Sequence, residues 1–381
     1  MKHAFTSTAA GRGLNFGLSA GLSLSLGLLT TGAAQAQDSE AELLALAKAE
    51  PPLTVYDSTG KIKDMAESFA TKYGLEAVGQ KVAATAQLEM VIREAQAGNV
   101  LGDVLLITDT PAALATLLPQ GFVTSWLPED LAADMPERYR NPLAITTNAN
   151  LWAYNTEVYD ACPVSNIWQL TEPEWHGKLA MTDPLVKSTY VDWFNQMATH
   201  DDAAVAAAYE AQYGKKLETS EASATAAWIA ALAENGPLVT DGDDRVSEAV
   251  GAPGQAEPFL GLLSSAKFRD VADKGYKMAP CRDLTPWAGW TYTKLALIAA
   301  GSDSPNAAKL FVRYVLSADG IAPQMADGKV PTRSSITMPD DEPSGLMAYA
   351  EKLQSYDSAT GLDDYDRRQD WQDFWRIHYR K

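Results

Sequence analysis

The chain has 381 residues, is 46% hydrophobic, and carries 49 acidic against 31 basic residues, for a formal charge of −18. That composition is too apolar for a disordered chain, and the length suits two domains or one two-lobed body. The acidic balance argues against nucleic acid or an anionic membrane surface as partner, and two distant cysteines with four histidines argue against a cysteine-based zinc centre.

Residues 1–36 have the layout of a secretory signal peptide. Lys2 and Arg12 form a basic start, residues 14–29 an apolar stretch rich in Leu, Gly and Ser, and Ala34-Gln35-Ala36 a cleavage pattern. The apolar run falls short of the ~20 residues a membrane span needs. The mature protein is therefore expected to be soluble and extracytoplasmic. In that oxidising compartment Cys162 and Cys281 are expected to form one disulfide.

Leu53-Thr54-Val55-Tyr56 is patterned as a buried strand, followed by the turn cluster Asp57-Ser58-Thr59-Gly60 and by Ile62, Met65, Ala66, Phe69 and Tyr73 at helical spacing. The unit repeats: a strand over 77–82, Thr85 ahead of a helix carrying Leu88, Val91, Ile92 and Ala95, and a stop at Gly98-Asn99. A third strand over 103–107 leads through Thr108-Asp109-Thr110-Pro111 into another Ala/Leu helix. Strand, polar turn and helix in this order predict βαβ units and a largely parallel sheet. Further strands are expected over 152–155 and 178–182, the latter ending in Asp183-Pro184. Helices follow over 188–198, 202–213 and 219–233, then an alternating block over 237–281 and a strand over 291–299. Ser304-Pro305 has the order of an N-cap and first helical residue ahead of Ala308, Phe311, Val312 and Val315. The tail from Asp363, with Trp371, Phe374, Trp375 and Tyr379, is expected to be an amphipathic helix packed on the body.

Motifs of common enzymes are missing: no G-x-S-x-G, H-E-x-x-H or phosphate-binding G-x-x-x-x-G-K-[ST] occurs. Ser58…Lys61 and Ser264…Lys267 fit S-x-x-K without its companions, His176 sits in a turn, and Asp241-Gly242-Asp243-Asp244 fits an acidic helix start better than a calcium loop. No catalytic residue, cofactor or metal centre is expected. What recurs is a hydroxyl at a strand-to-helix turn: Ser58, Thr59, Thr85, Thr108, Ser188 and Thr189. Each alone is a plausible helix cap. As a set they outline a ligand cleft at the carboxyl ends of strands, where free helix amides favour an anion. Trp287 and Trp290 flank Ala288-Gly289 and suit either a stacking wall for a ligand or packing between lobes.

Taken in order, the pieces resemble the extracellular solute-binding proteins of bacterial ABC importers, in the branch of ferric-iron, thiamine and phosphonate or sugar-phosphate binders. The resemblance is carried by the first strand and loop at 53–60 and by Leu151-Trp152-Ala153-Tyr154-Asn155-Thr156. It continues through Trp168 and the run Trp175-His176-Gly177-Lys178-Leu179-Ala180-Met181-Thr182-Asp183-Pro184. Residues 307–320 and Gly328-Lys329-Val330-Pro331-Thr332-Arg333 complete it. It implies a periplasmic binding protein-like α/β fold: two α/β lobes with mixed sheets, joined by a hinge crossed near 144–150 and 283–290. The lobes would be residues 37–147, residues 148–286, and a return of the first lobe with C-terminal helices over 287–381. The protein would deliver a small molecule to an inner-membrane permease.

Position by position, the family's ligand loops fall on Ser58, Thr59, Thr85, Thr108, Asp109, Asp183, Ser188 and Thr189. This favours a small organic anion, with phosphorylated or phosphonate compounds first, and Arg245 or Arg282 as possible charged donors. Asp57, Asp109 and Asp183 would instead accept from a sugar, polyol or amine stacked on Trp287 or Trp290. Ferric iron comes third: iron-binding members use adjacent tyrosines, and here Tyr292 stands alone.

Overall fold

The computed structural model describes residues 39–379; the expected signal peptide lies outside them. After helix α1 (Glu40–Ala47), two βα units and a third strand follow as β1 (Leu53–Asp57), α2 (Ile62–Tyr73), β2 (Ala77–Lys81), α3 (Ala84–Ala97) and β3 (Val104–Ile107); the helix expected after β3 is a short turn at Thr110–Ala112 continued as a π-helical turn at Ala113–Leu117. β1 lies parallel to both β2 and β3. The 3.6-residue spacing of Ile62, Met65, Phe69 and Tyr73 puts all four in one buried cluster with β1, and Gly74 ends α2 in the left-handed conformation with φ 64°.

The chain then enters β4 (Ala144–Asn155) and a second α/β body: β5 (Leu179–Thr182), α4 (Ser188–His200), α5 (Asp202–Tyr213), α6 (Ala224–Glu234), β6 (Leu238–Thr240), α7 (Asp243–Gly251) and β7 (Leu260–Ser264). It returns through β8 (Gly289–Ala299), α8 (Pro305–Val315), α9 (Ala318–Met325) and finally α10 (Gly361–His378). The strand order is β2-β1-β3-β8-β4-β7-β5-β6, one mixed sheet with a parallel set at each end. In its middle the long strands β4 and β8 run antiparallel, from Gly289 opposite Leu151 to Leu295 opposite Ala144, with a register shift between Lys294 and Leu295.

β4 begins eight residues earlier than the spacing predicts. Thr146, Asn148 and Asn150 carry no strand signal, yet all three are buried because β4 is covered by neighbours along its length. The helix start at Ser304-Pro305 also departs from expectation. Ser304 makes no side-chain cap; its hydroxyl donates to the Pro51 carbonyl at 2.8 Å. The free amides of Asn306 and Ala307 donate instead to the Glu50 carboxylate, at 3.1 and 2.8 Å. The helix expected over 219–233 begins only at Ala224, because Ser223 is its cap and accepts from the Ala226 amide. Thr85, expected ahead of a helix, lies inside the first turn of α3.

The tail forms α10 as expected and packs on α4. Trp375 is buried against Phe194, and Asp364 accepts from Asn195 and Gln196. Cys162 and Cys281 are joined as a disulfide closing a separation of 119 residues. A closed loop of that size removes much freedom from the unfolded chain. The paired substitution Cys162→Ala/Cys281→Ala is expected to lower unfolding stability by about 2–4 kcal/mol, measured by urea denaturation; a loss below about 1 kcal/mol would contradict this.

Candidate functional site

β1, β3, β5 and β7 all point their carboxyl ends toward one cleft between the two bodies, and the loops that leave them form its walls. Two cavities occupy it. The first, about 190 Å³, lies among Ser58, Thr59, Gly60, Thr108, Asn148, Tyr292 and a group of cations: Lys81, Lys267, Arg269, Lys294 and Lys329. The second, about 340 Å³, shares Ser58, Thr108, Asp243 and Tyr292 with the first and extends to Thr85, Lys187, Ser188, Thr189 and Asp241. A separate surface hollow beside Lys48 and Pro51 lies at the opposite, amino end of β1.

The floor is a buried polar triangle. Lys294, 1% exposed, donates to Asp57 Oδ1 at 2.6 Å and to Gln324 Oε1 at 3.1 Å, and Gln324 Nε2 donates to Asp57 Oδ2 at 3.0 Å. Asp57 also accepts from the Thr59 amide, which fixes the loop carrying Ser58 and Thr59. Other cations around the cleft are held by acids: Arg269 with Asp327 at 2.7 Å, Lys267 with Asp244, and Lys187 with Asp243 at 3.0 Å; the exposed Lys81 has no ion pair among the described residues. Lys187 also donates to Asn150 at 2.9 Å.

Lys329 differs from the others. It is 7% exposed; its backbone amide donates to the Gln324 carbonyl at 3.2 Å, but its ammonium makes no hydrogen bond or ion pair among the described residues. Gly328 sets it in place: φ is 67°, and any Cβ there would press on Glu342 and Ser265. The Ser265 hydroxyl donates to the Gly328 carbonyl at 3.1 Å, and Val330–Pro331 then pairs with β4. Other polar atoms around the cleft are also buried without a partner, among them both amide atoms of Asn148, the Thr189 hydroxyl and Asp327 Oδ2. Such groups cost about 1–3 kcal/mol each when left unsatisfied. Tyr292 lies opposite Asn148 in the β4–β8 register, its hydroxyl pushed up by burial and by the Asp243 charge.

Residues 53–328 match the family model of the bacterial extracellular solute-binding proteins. The chain belongs to that family. Solved structures similar to this solute-binding protein include iron-bound HitA from Pseudomonas aeruginosa, with a TM-score of 0.64 and 17% identity, covering 86% of this chain and 99% of that one. The substrate-binding protein of an ABC transporter from Agrobacterium tumefaciens has a TM-score of 0.67 and 16% identity, covering 89% and 97%. AgtB from A. tumefaciens R10, in complex with agropinic acid, has a TM-score of 0.62 and 15% identity, covering 85% and 98%. At these identities the likeness is one of fold, that of two-lobed periplasmic binding proteins. No curated protein sequence matches the chain significantly.

In the solute-binding protein, Ser58, Thr59, Thr85, Thr108, Asp109, Ser188 and Thr189 all line the two cavities. Asp109 is committed within the fold: it accepts from the Ala112 amide at 3.1 Å and pairs with Arg368. Asp57 is equally engaged in the floor. Asp183 lines neither cavity and accepts from the Leu185 amide within its own turn. Trp290 is 2% exposed and stacks on Trp193 at 5.3 Å, while Trp287 packs on the same aromatic cluster; neither borders the cavities. Arg245 pairs with Glu248 on the surface and Arg282 lies over Tyr349, so the cleft's charged donors come from elsewhere.

Those donors are the lysines and Arg269. Sequence pattern alone passed over them because they are scattered from position 81 to 329; only the motif containing Ser264 and Lys267 and the loop containing Lys329 drew attention to any.

Burial and the neighbouring Lys294 push the Lys329 ammonium down to about 7, against the opposing pull of Asp57 and Asp327; Arg269 adds to the repulsion. Because the folded value lies below the ordinary 10.5, the unfolded chain binds more protons in between, and this group makes stability rise with pH from about 7 to 10.5. An anion beside Lys329 favours its protonated form. Sulfate binding is expected to take up most of a proton at pH 8 and little at pH 6, with affinity falling toward tenfold per pH unit above pH 7. Calorimetry in buffers of different ionisation enthalpy measures this; proton uptake that persists in Lys329→Met would overturn the assignment.

Proposed function

We propose that this protein captures a small organic anion, with phosphorylated or phosphonate compounds favoured, and delivers it from the periplasm to an ABC permease in the inner membrane. The observation that carries this reading is the excess of cations over acids in the lining of the first cavity, with the buried Lys329 ammonium outside any ion pair. In a chain of formal charge −18, that local reversal of sign favours an anionic guest, since nearby donors set the field in an enclosed site. The hydroxyls of Ser58, Thr59 and Thr108 add neutral donors.

Binding without turnover, as a monomer with no cofactor, is part of the same proposal. The lobes would correspond to residues 37–147 with 287–381 and to residues 148–286, closing by bending of β4 and β8. Hinge closure over a ligand is an established motion of two-domain proteins. A bare ferric ion suits the cleft poorly. Five cations repel it, Tyr292 is the one tyrosine in either cavity wall, and Asp243 and Asp327 already have cationic partners.

The test is thermal unfolding against phosphate, phosphonates, sugar phosphates, free sugars, polyols, amino acids, thiamine and Fe³⁺. A ligand at 100 times its Kd adds about 2.7 kcal/mol, which raises the midpoint by a few degrees. Organophosphorus compounds are expected to give that shift. A shift with sugars or with Fe³⁺ alone would replace the reading.

A further inference from the structure

We propose that helix α10 is a strap between the two bodies: anchored in the second, it grips the first through Arg368 and holds the cleft shut whether or not a ligand is bound. This rests on the reading of β4 and β8 as a hinge and adds what biases it.

By chain order α10 belongs to the returning segment, yet its anchors lie in the second body. Gly361, Asp364, Arg368, Trp371 and Trp375 recur every three or four residues, so they share one face of the helix. Toward the carboxyl end Trp375 enters the aromatic core around Phe194 and Trp228, and the Tyr379 hydroxyl donates to the Pro237 carbonyl at 3.0 Å. Asn195 and Gln196 of α4 donate to Asp364 at 2.8 and 2.7 Å. Toward the amino end the same face meets the first body. A Cβ at position 361 would lie 2.7 Å from Leu114 Cδ1, so glycine lets α10 rest directly on the segment that follows β3.

Arg368 is the grip. Its guanidinium makes a two-pronged bond to Asp192 of α4, Nε to Oδ1 at 2.7 Å and Nη2 to Oδ2 at 2.8 Å. The same group donates to Asp109 Oδ2 through Nη1 at 3.3 Å and to Asp109 Oδ1 through Nη2. One planar, permanently charged fork thus holds a carboxylate from each body, a task that a lysine's compact ammonium does not suit. The side chains of Arg368, Asp192 and Asp109 are 14%, 4% and 2% exposed, so salt screens them little. Asp109 is itself fixed to the first body. Its Oδ1 accepts from the Ala112 amide at 3.1 Å, and the neighbouring Thr110 shares a hydrogen bond of 2.7 Å with Thr293 of β8. The Ser188 hydroxyl of α4 adds a longer bond to Asp109 at 3.3 Å. Opening the hinge must part Arg368 from Asp109, because the bond to Asp192 and the buried Trp375 keep α10 with the second body. Removing the arginine leaves two buried carboxylates facing each other, which favours separation of the bodies.

Small-angle X-ray scattering of the ligand-free protein tests the strap. The native protein is expected to scatter as a closed body, with a radius of gyration of about 20 Å. Arg368→Gln and Asp109→Asn are each expected to raise that radius. Asp109→Asn keeps the Ala112 cap and the Arg368–Asp192 pair, so it carries the test if Arg368→Gln does not fold. Arg368 lines neither cavity, so its effect on affinity acts through the closed population. Calorimetry with propylphosphonate is expected to show about tenfold weaker binding in Arg368→Gln, matching a tenfold lower closed fraction. A native protein that is open without ligand and compacts with propylphosphonate would overturn the strap and leave the hinge reading standing. An Asp109→Asn variant as compact as the native protein would also overturn the strap. Variants that open but are not compacted by propylphosphonate would support the strap and count against the anion reading.

Discussion

The Lys294–Asp57 pair, closed into a triangle by Gln324, is the constraint around which the cleft is built. It joins the end of β1, the register shift of β8 and helix α9, three elements far apart in the chain. An ion pair this deep is weak evidence for stability, because desolvating both charges offsets much of their attraction, yet removing one partner strands the other. Its consequence here is positional. With both Asp57 oxygens occupied, the Ser58–Thr59 loop has one shape, and Asp57 is already engaged with Lys294 when Lys329 is placed beside the pair.

That placement explains how an acidic protein holds a basic cleft. Acids are abundant on its surface, but most of those near the cleft, Asp241 excepted, are paired with Lys187, Lys267, Lys294, Arg269 or Arg368. The pairs keep long side chains in fixed positions. What remains for a guest is a small difference between large, opposed charges, and such a difference is sensitive to single residues.

The fold was legible because its signals are local. Alternating apolar strands, helical spacing at Ile62–Tyr73 and polar turns each occupy a few consecutive residues, and the hydroxyls at the strand ends followed from them. Three kinds of feature were not legible. Thr146, Asn148 and Asn150 belong to a buried strand whose polar side chains break the apolar run, so its first eight residues look like a loop. Glu50 caps α8 across more than 250 positions, a partner no local pattern can name. The cationic set is assembled from four separate loops and strands, and any one lysine among them looks like ordinary surface. Trp290, conspicuous in the sequence, is absorbed by an aromatic stack with Trp193 that exists only in three dimensions.

Helix α10 has an implication for the order in which the molecule comes together. Its Trp375 completes the aromatic core around Phe194 and Trp228, and its Arg368 ties Asp192 of α4 to Asp109 beyond β3. The first body likewise needs α8, from residues 305–315, to cover Phe69. A chain that emerges amino end first therefore keeps the first core unfinished until residues 305–315 are free, and the second until residues 361–378 are. Such an arrangement ties the completion of each core to a segment that is made after the rest of it.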